Sequence, residues 1–247
     1  MKRTSLSLLI GAICGIFYFT RNVEQLKHKH GILTFGNHGT EEFRVFLTDG
    51  TGKSVLSFWH DIPVTAGNDA VHMVVEIPRL AREKMEIHKT EPMNPIFHDK
   101  RNGKLRFLHS PLSWHYGSAP QTLGDDGDPL DVLDISDTDR KLGDIVGVKI
   151  LGALPLLDEG HFDWKIIAVD VNDPLAEGVH SLEDLERVAP GVVSGIEEFF
   201  RWYDFPETKR PNKYAGGILG REGTAKLIEE AHEAWAAKYK PASDLSE

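Results

Sequence analysis

The sequence predicts an α+β protein in which helices pack against a small, closed or nearly closed barrel of short strands. Three observations carry that expectation. Short alternating or apolar segments, each bounded by turn residues, recur between Glu42 and Val171, and frequent turns between short strands favour closure. Apolar stripes at helical spacing gather in the last third of the chain, where helices pack on a sheet rather than alternate with its strands. The 247 residues, 40% hydrophobic and 27% charged, are enough to bury a core in one large domain or two small ones.

The elements follow in order from about Gly31. Glu42 to Leu47 alternates, Thr48 to Lys53 is a turn cluster, and Val55 to Trp59 resumes extended structure; together these form an opening hairpin, an N-terminal β extension. Val71 to Ile77 and Lys84 to His88 are further strands. Asn102-Gly103 marks a tight turn before the alternating Lys104 to Leu108, because this pair tolerates the left-handed backbone of a two-residue hairpin. Asp144 to Leu151 and Trp164 to Val171 complete the strands. Ser181, followed by Glu183 and Asp184, caps a short helix through Val188, and Pro190 ends it. Gly191 to Phe205 carries Val193, Ile196, Phe199, Phe200 and Tyr203 on one helical face, and Thr224 to Tyr239 carries Leu227, Ile228, Ala231, Ala234, Trp235 and Tyr239. No repeat or low-complexity tract is present.

The N-terminus stands apart. Lys2 and Arg3 precede an apolar run over residues 5 to 19, the pattern of an export signal or signal anchor, although the run is short for a spanning helix. Residues 1–22 are therefore assigned to that signal, 23–30 to a linker, 31–240 to a single folded domain and 241–247 to a flexible tail. The expected localisation is exported or membrane-anchored, periplasmic or extracytoplasmic, with an N-terminal membrane contact; a cytoplasmic protein is the alternative.

Composition narrows the chemistry. Asp and Glu number 38 against 28 Lys and Arg, which opposes a nucleic-acid binder with its basic face. Cys14 is the sole cysteine, so an intrachain disulfide and a thiolate zinc site are excluded. The histidines form no H-E-x-x-H, and G-x-x-x-x-G-K-[ST] and G-x-S-x-G are absent.

The most informative stretch is GDDGDPLDVLD, residues 124 to 134, with Asp125, Asp126, Asp128, Asp131 and Asp134 among Pro129, Leu130, Val132 and Leu133. The apolar residues take part of the segment into a core, so the aspartates are held beside rigid structure. Clustered carboxylates repel unless cations compensate them, and hard cations such as Mg²⁺ take oxygen ligands together with substrate phosphates. A calcium-binding helix-loop-helix needs glycine where Pro129-Leu130 stands; a solvated acidic loop is the plain alternative. Lys84 with Glu86, Lys104 with Arg106, and Asp163 with Lys165 are pairs at i, i+2 on expected strands, each on one face. Converging with residues 126 to 131, such pairs would let carboxylates hold metals and cations grip phosphoryl oxygens. Trp164, between Asp163 and Lys165, should face the core, and His161 is expected in a loop.

VEIPR (75–79), KMEI (84–87), NPI (94–96), GKLRF (103–107), YG (116–117), GDPLD (127–131) and LLDEGHFDWK (156–165) occur in that order. The set resembles the soluble family I inorganic pyrophosphatases, and HDIP (60–63), the early hairpin and the long C-terminal region resemble their eukaryotic-type branch. The resemblance spans about residues 31 to 240. It implies a small mixed β-barrel of the oligonucleotide-binding (OB-like) type flanked by helices. It also implies a phosphoanhydride hydrolase that splits inorganic pyrophosphate into two orthophosphates with a metal-activated water and several Mg²⁺ ions, Mn²⁺ being a substitute. By position, Asp126, Asp131 and Asp163 match ligands of the tighter metal positions, and Glu86 and Asp158 match carboxylates for further, substrate-linked ions. Asp128 matches the base that takes the proton of the nucleophilic water. Lys84, Arg106, Lys165 and Tyr203 match groups that bind substrate or departing phosphate, with Tyr116 and the acid Glu76 in support. The resemblance further implies a homodimer.

Four departures from that pattern stand out. Leu112 takes the place of a usual tyrosine, the insertion before it is shortened, Leu80 replaces a usual tryptophan, and Asp204 stands where a lysine normally follows the counterpart of Tyr203. The last reverses a charge beside the substrate, with Lys209 or Arg210 as the nearest compensating cations in sequence. Hydrolysis of another phosphoanhydride, a nucleotide or polyphosphate, is the first alternative; a non-catalytic OB-like binding protein is the second.

Overall fold

Alternation of buried and exposed side chains sets the strands, and the long-range pairings set the architecture. The structure is a computed structural model that describes residues 30–158 and 160–240, without the side chains of Asp158 and Glu207. The first strands are β1 (Gly31–Phe35), β2 (Arg44–Thr48), β3 (Val55–Leu56), β4 (Thr65–Gly67), β5 (Ala70–Ile77), β6 (Met85–Ile87) and β7 (Ile96–His98). Then come β8 (Lys100–Arg101), β9 (Lys104–Leu105), β10 (His115–Ser118), β11 (Asp131–Asp134), β12 (Ile145–Asp158), β13 (His161–Asp170), β14 (Lys213–Tyr214) and β15 (Leu219–Gly220).

These strands form two main sheets. One has the order β1-β2-β7-β6, with β3 beside β2. Val45 and Leu47, on one face of β2, are buried with Phe58, Trp59 and Ile62, and the Trp59 indole donates to the Thr122 carbonyl at 2.9 Å. The second sheet has the order β14-β12-β13-β11-β10-β5-β4, with β15 beside β12. All its pairs are antiparallel except β11 with β13. A hairpin of β8 and β9 stands by itself, turned by Asn102 and Gly103 at φ 54° and 71°, the left-handed pair that the sequence motif anticipates.

The expectation of an OB-like barrel is corrected by these pairings, while the α+β class stands. Regular spacing of short strands suggested one closed barrel, but the opening strands form a sheet of their own. In the second sheet the long strand β12 pairs with β5 along Ile145–Lys149 and with β13 along Val148–Asp158. The sheet thus returns on itself as a ring without a common barrel axis, and β4, β14 and β15 are attached outside it. Sequence spacing could not reveal this, because one strand serves two partners. β12 changes register between Ile150 and Gly152. A Cβ on Gly152 would meet Leu182 at 2.4 Å and the Leu219 carbonyl at 2.6 Å, so only glycine lets the overlying elements settle there.

The helices are α1 (Leu175–Gly178), α2 (Leu182–Val188), α3 (Val192–Trp202), α4 (Phe205–Thr208) and α5 (Arg221–Tyr239). Ser181 caps α2, its hydroxyl accepting from the Asp184 amide at 3.1 Å, as the sequence suggests. Helix α3 ends before the expected Phe205, because Asp204 leaves helical geometry at ψ 0° and a new turn restarts ahead of Pro206. Ile196 and Phe200 of α3 join Leu182 and Leu185 of α2 over Ile77, Leu133, Leu154 and Leu156. Ile228 and Ala231 of α5 cover another face of the ring. Trp235 of the same helix reaches the core of the first sheet. A polar cleft lies beside the β11–β13 pair.

Candidate active site

Strand register builds the floor of this cleft. β11 and β13 run parallel with Asp131 opposite Lys165, and period-two alternation puts Asp163 on the same face as Lys165. Lys165 is only 3% exposed. Its ammonium donates to both Asp163 oxygens at 2.7 Å and to Asp131, and it lies 5.0 Å from the Phe200 ring centroid and 5.7 Å from that of Tyr116. Next to it, Lys84 donates to Glu86 at 2.9 Å and lies 5.4 Å from the Tyr116 ring centroid. Buried Glu76 accepts from the Ser118 hydroxyl at 2.9 Å and the Ile87 amide at 3.2 Å. Tyr116 and Ser118 reach the floor across a bulge in β10, where a Cβ on Gly117 would stand 1.8 Å from the Val74 carbonyl.

Loops and side-chain pairs build the rim. Buried Leu130, whose amide donates to the Thr122 hydroxyl at 2.9 Å, anchors the acidic loop. The loop folds on itself: the Asp128 amide donates to the exposed Asp126 carboxylate at 2.9 Å, and the Gly124 amide to the Asp128 carbonyl at 2.7 Å. Asp128 meets the Lys89 ammonium at 2.5 Å. On the opposite side Arg106 donates to Asp99 at 3.1 Å and Asp204 at 2.8 Å, with its guanidinium 5.5 Å from the Tyr203 ring centroid.

The cleft encloses about 200 Å³. Glu76, Lys84, Glu86, Arg106, Tyr116, Asp126, Asp128, Asp131, Asp163, Lys165 and Tyr203, the site residues singled out in the sequence, all line it. Asp158 ends β12, with its backbone in register with His161, but its side chain is outside the described set. Lys89, Arg101 and Asp204 also line the cleft. The sequence pointed to neither Lys89 nor Arg101, since loop cations have no face that alternation can place. The compensation of Asp204 by Lys209 or Arg210 is corrected: its partners are Arg106 and Arg101, the latter at 3.2 Å, whereas the Lys209 ammonium donates to the Pro206 carbonyl. Leu112 is buried against the same cleft, giving it an apolar wall where the resemblance called for a tyrosine. Trp164 is half-buried, stacked 5.5 Å from Phe162, and His161 is an exposed strand residue.

Crowding of like charges governs the electrostatics. Burial, reinforced by Asp131, pushes the Asp163 carboxyl up to about 7, whereas Lys165 and Lys84 hold Asp131 below its ordinary range against desolvation. Burial pushes Glu76 up to about 8 despite Lys84 nearby. Burial also raises Asp128, against the pull of Lys89. Asp163, Glu76 and Asp128 therefore resist full ionisation with the chain's own cations alone. The donor set is all hard oxygen and suits a small divalent ion. Among the described residues no three His, Cys, Asp or Glu side chains form a ready metal cluster; Lys165, Lys84 and Lys89 instead engage the carboxylates.

An acidic cleft ringed with lysines and arginines on a mixed sheet defines an enzyme that handles polyanions with hard divalent cations. The family model for inorganic pyrophosphatase matches residues 73–236. Soluble inorganic pyrophosphatase 6, chloroplastic, from Arabidopsis thaliana is 39% identical over 221 residues, covering 83% of this chain and 73% of the relative. The crystal structure of type I inorganic pyrophosphatase from Toxoplasma gondii superposes with a TM-score of 0.80 at 38% identity, covering 85% of this chain and 99% of that one. A truncated Trypanosoma cruzi vacuolar soluble pyrophosphatase, solved in complex with PPi, has a TM-score of 0.78 at 32% identity, covering 87% and 93%. The chain belongs to the soluble family I inorganic pyrophosphatases and is a hydrolase.

The expected exported or membrane-anchored localisation is corrected by the compartments named for the relatives. Among the described residues no helix is long and apolar enough to cross a membrane, and these relatives are named as soluble, chloroplastic and vacuolar proteins. Residues 1–22, on which the signal or anchor and the membrane contact rested, lie outside the described residues.

Proposed function

We propose that this cleft is where the chain hydrolyses inorganic pyrophosphate to two orthophosphates, with Mg²⁺ as its cofactor. The observation that carries the reading is the Asp131–Lys165–Asp163 floor, where half-buried carboxylates crowd one buried ammonium beside Lys84 and Arg106. Oxygen donors gathered at one cleft are suited to divalent ions, and Asp126, Asp131, Asp163 and Glu86, which line it, with Asp158, are the residues that would hold them. Bound Mg²⁺ would offset the charge of carboxylates and substrate and make the attacking water more acidic.

The chain's own residues divide the remaining work. Asp128, at the rim, accepts the proton of the water that attacks phosphorus. One new P–O bond forms, the bond to the bridging oxygen breaks, and that oxygen leaves with the second phosphate. Lys84, Lys165 and Arg106 meet the charge that grows on it. Tyr203 flanks Arg106 and keeps its guanidinium facing the cleft. Tyr116, whose ring stands beside the Lys84 and Lys165 ammonium groups, shields the floor, while Glu76 braces the strands beneath. A homodimer belongs to the same reading and is carried by the family resemblance, with Leu80 standing exposed where that resemblance calls for a tryptophan; light scattering tests it.

The deciding experiment is phosphate release by the full chain from pyrophosphate, with and without Mg²⁺, against ATP and tripolyphosphate. Release from pyrophosphate that requires Mg²⁺ and exceeds the other two is expected. Preferential release from ATP or tripolyphosphate would replace pyrophosphate as the substrate.

A further inference from the structure

We infer that His232 of helix α5 is a positioning residue for the acidic loop: it helps hold the turn that feeds the loop, and so sets how well Asp126 and Asp131 are placed for Mg²⁺. The role rests on the reading of those carboxylates as metal ligands. Among the described residues lining the cleft none belongs to α5. The helix nevertheless meets the chain just ahead of the loop. The His232 Nδ1 lies 2.7 Å from the Gln121 carbonyl; a carbonyl only accepts, so this nitrogen carries a proton and donates it. Two residues on, the Leu123 amide donates to the Ala231 carbonyl of the same helix at 2.9 Å.

Gln121 gains from such support. Its φ is 52°, a left-handed backbone that costs a non-glycine residue free energy and persists where the surroundings over-determine it. Here they do so from two sides. Its amide donates to the Trp59 carbonyl at 2.8 Å and its side-chain amide to the His60 carbonyl at 3.0 Å, while His232 engages its carbonyl. His60 is itself tied to α5, its Nδ1 accepting from the Trp235 indole at 2.8 Å. The turn, residues 59–60 and α5 thus form a three-way joint. The path from the joint to the carboxylates is short. Buried Thr122 accepts from the Leu130 amide at 2.9 Å and donates to the Ala119 carbonyl at 2.7 Å, so the turn closes the base of the loop. Beyond that base the loop is held by its own short bonds and by Lys89, and Asp125 and Asp126 are exposed. Fixing the base in advance removes part of the ordering entropy that metal binding would otherwise cost.

Two substitutions in the full chain separate the donor from the ring. His232→Phe keeps a ring against Trp235, on which the histidine stacks at 5.4 Å, and removes the donor. His232→Asn keeps a donor near the Nδ1 position and removes the ring. Lys226→Ala, on the same helix and paired with Glu230, is the control. The measurements are amide hydrogen exchange over residues 121–130 in metal-free protein, calorimetric Mg²⁺ affinity without substrate, kcat for pyrophosphate at saturating Mg²⁺, and melting temperature. His232→Phe should speed the exchange and weaken Mg²⁺ each by about three- to tenfold, the usual worth of one hydrogen bond, with kcat within about twofold. His232→Asn should recover most of that loss, and Lys226→Ala should match the parent. Unchanged exchange or unchanged Mg²⁺ affinity in His232→Phe overturns the inference, and a lower melting temperature with unchanged affinity makes His232 a staple of the fold alone. His232→Asn as impaired as His232→Phe also overturns it, since ring packing would then be the cause. His232→Ala repeats the test should phenylalanine not be accommodated. If the parent chain neither binds Mg²⁺ nor releases phosphate, the functional reading fails instead, and the exchange data still decide whether His232 orders the loop.

Discussion

At the floor of the cleft, Lys165 is held between Asp131 and Asp163 by the register of two parallel strands and shielded from water by Tyr116 and Phe200. At the rim, Lys89 meets Asp128 with both side chains more than 40% exposed. The two ion pairs are alike in chemistry and opposite in consequence. A buried pair cannot lose one partner without stranding the other, whereas an exposed pair exchanges its partner for water at little cost. The floor is therefore preorganised for charge, and the rim can yield its carboxylate to the reaction.

Lys165→Met strikes the floor hardest. It leaves two carboxylates facing each other in a buried site, and should cost about 3–5 kcal/mol of stability in metal-free protein. Denaturant unfolding measures it, and added Mg²⁺ should restore part of the loss. Failure of Mg²⁺ to do so would argue against Asp131 and Asp163 as its ligands.

Asp128→Asn strikes the rim and should separate activity from stability. Turnover should fall about 10²–10⁴-fold, the usual worth of a positioned base, while the unfolding free energy moves by no more than about 1 kcal/mol. Calorimetric Mg²⁺ affinity should fall further in Asp131→Asn than in Asp128→Asn. Equal affinities would erase the proposed distinction between ligand and base.

Glu76 sharpens the comparison through pH. Its carboxyl titrates near 8 in the folded protein, well above the unfolded value. The unfolded chain therefore releases this proton first, and Glu76's contribution to stability is present below about pH 4.5 and lost as pH rises towards 8. In Mg²⁺-free buffer Glu76→Gln should flatten the decline in stability between pH 5 and 8. Parallel stability–pH curves for variant and parent would show that the floor keeps Glu76 ionised after all.

Lys89→Ala should have the smallest effect, at most about 1 kcal/mol on stability. Lys89 pulls the Asp128 carboxyl down against burial, so its loss should move the acid limb of the pH–rate profile to higher pH. A limb that stays in place would mean the pair does not persist during turnover.

The floor was more legible in the sequence than the rim, and for the same physical reason. Strand alternation places Asp163 with Lys165 on one face, and the apolar residues around Asp131 declare a segment entering a core. No local pattern placed Lys89 opposite Asp128, or Arg101 opposite Asp204 a hundred residues away, because loop pairings are set by tertiary approach. Strands β7, β10 and β11 escaped for a related reason. They are three or four residues long and largely buried, so they show too little alternation to declare themselves. The helices, whose apolar stripes span several turns, were placed to within a few residues at their ends.

The double use of β12 also sets an order of assembly. β5 and β10 leave the ribosome early, but the strand that completes their ring emerges only with Ile145–Lys149, and β13, which carries Asp163 and Lys165, comes later still. Closure thus depends on contacts distant in sequence, which are slow to form. A nascent chain stopped before His161 would carry the acidic loop but not Lys165, the ammonium that joins Asp131 to Asp163. Stopped-flow refolding should therefore show the β12–β13 hairpin, a contact between neighbours, forming before β5 docks. Catalytic competence should appear with the final closure and in no shorter chain.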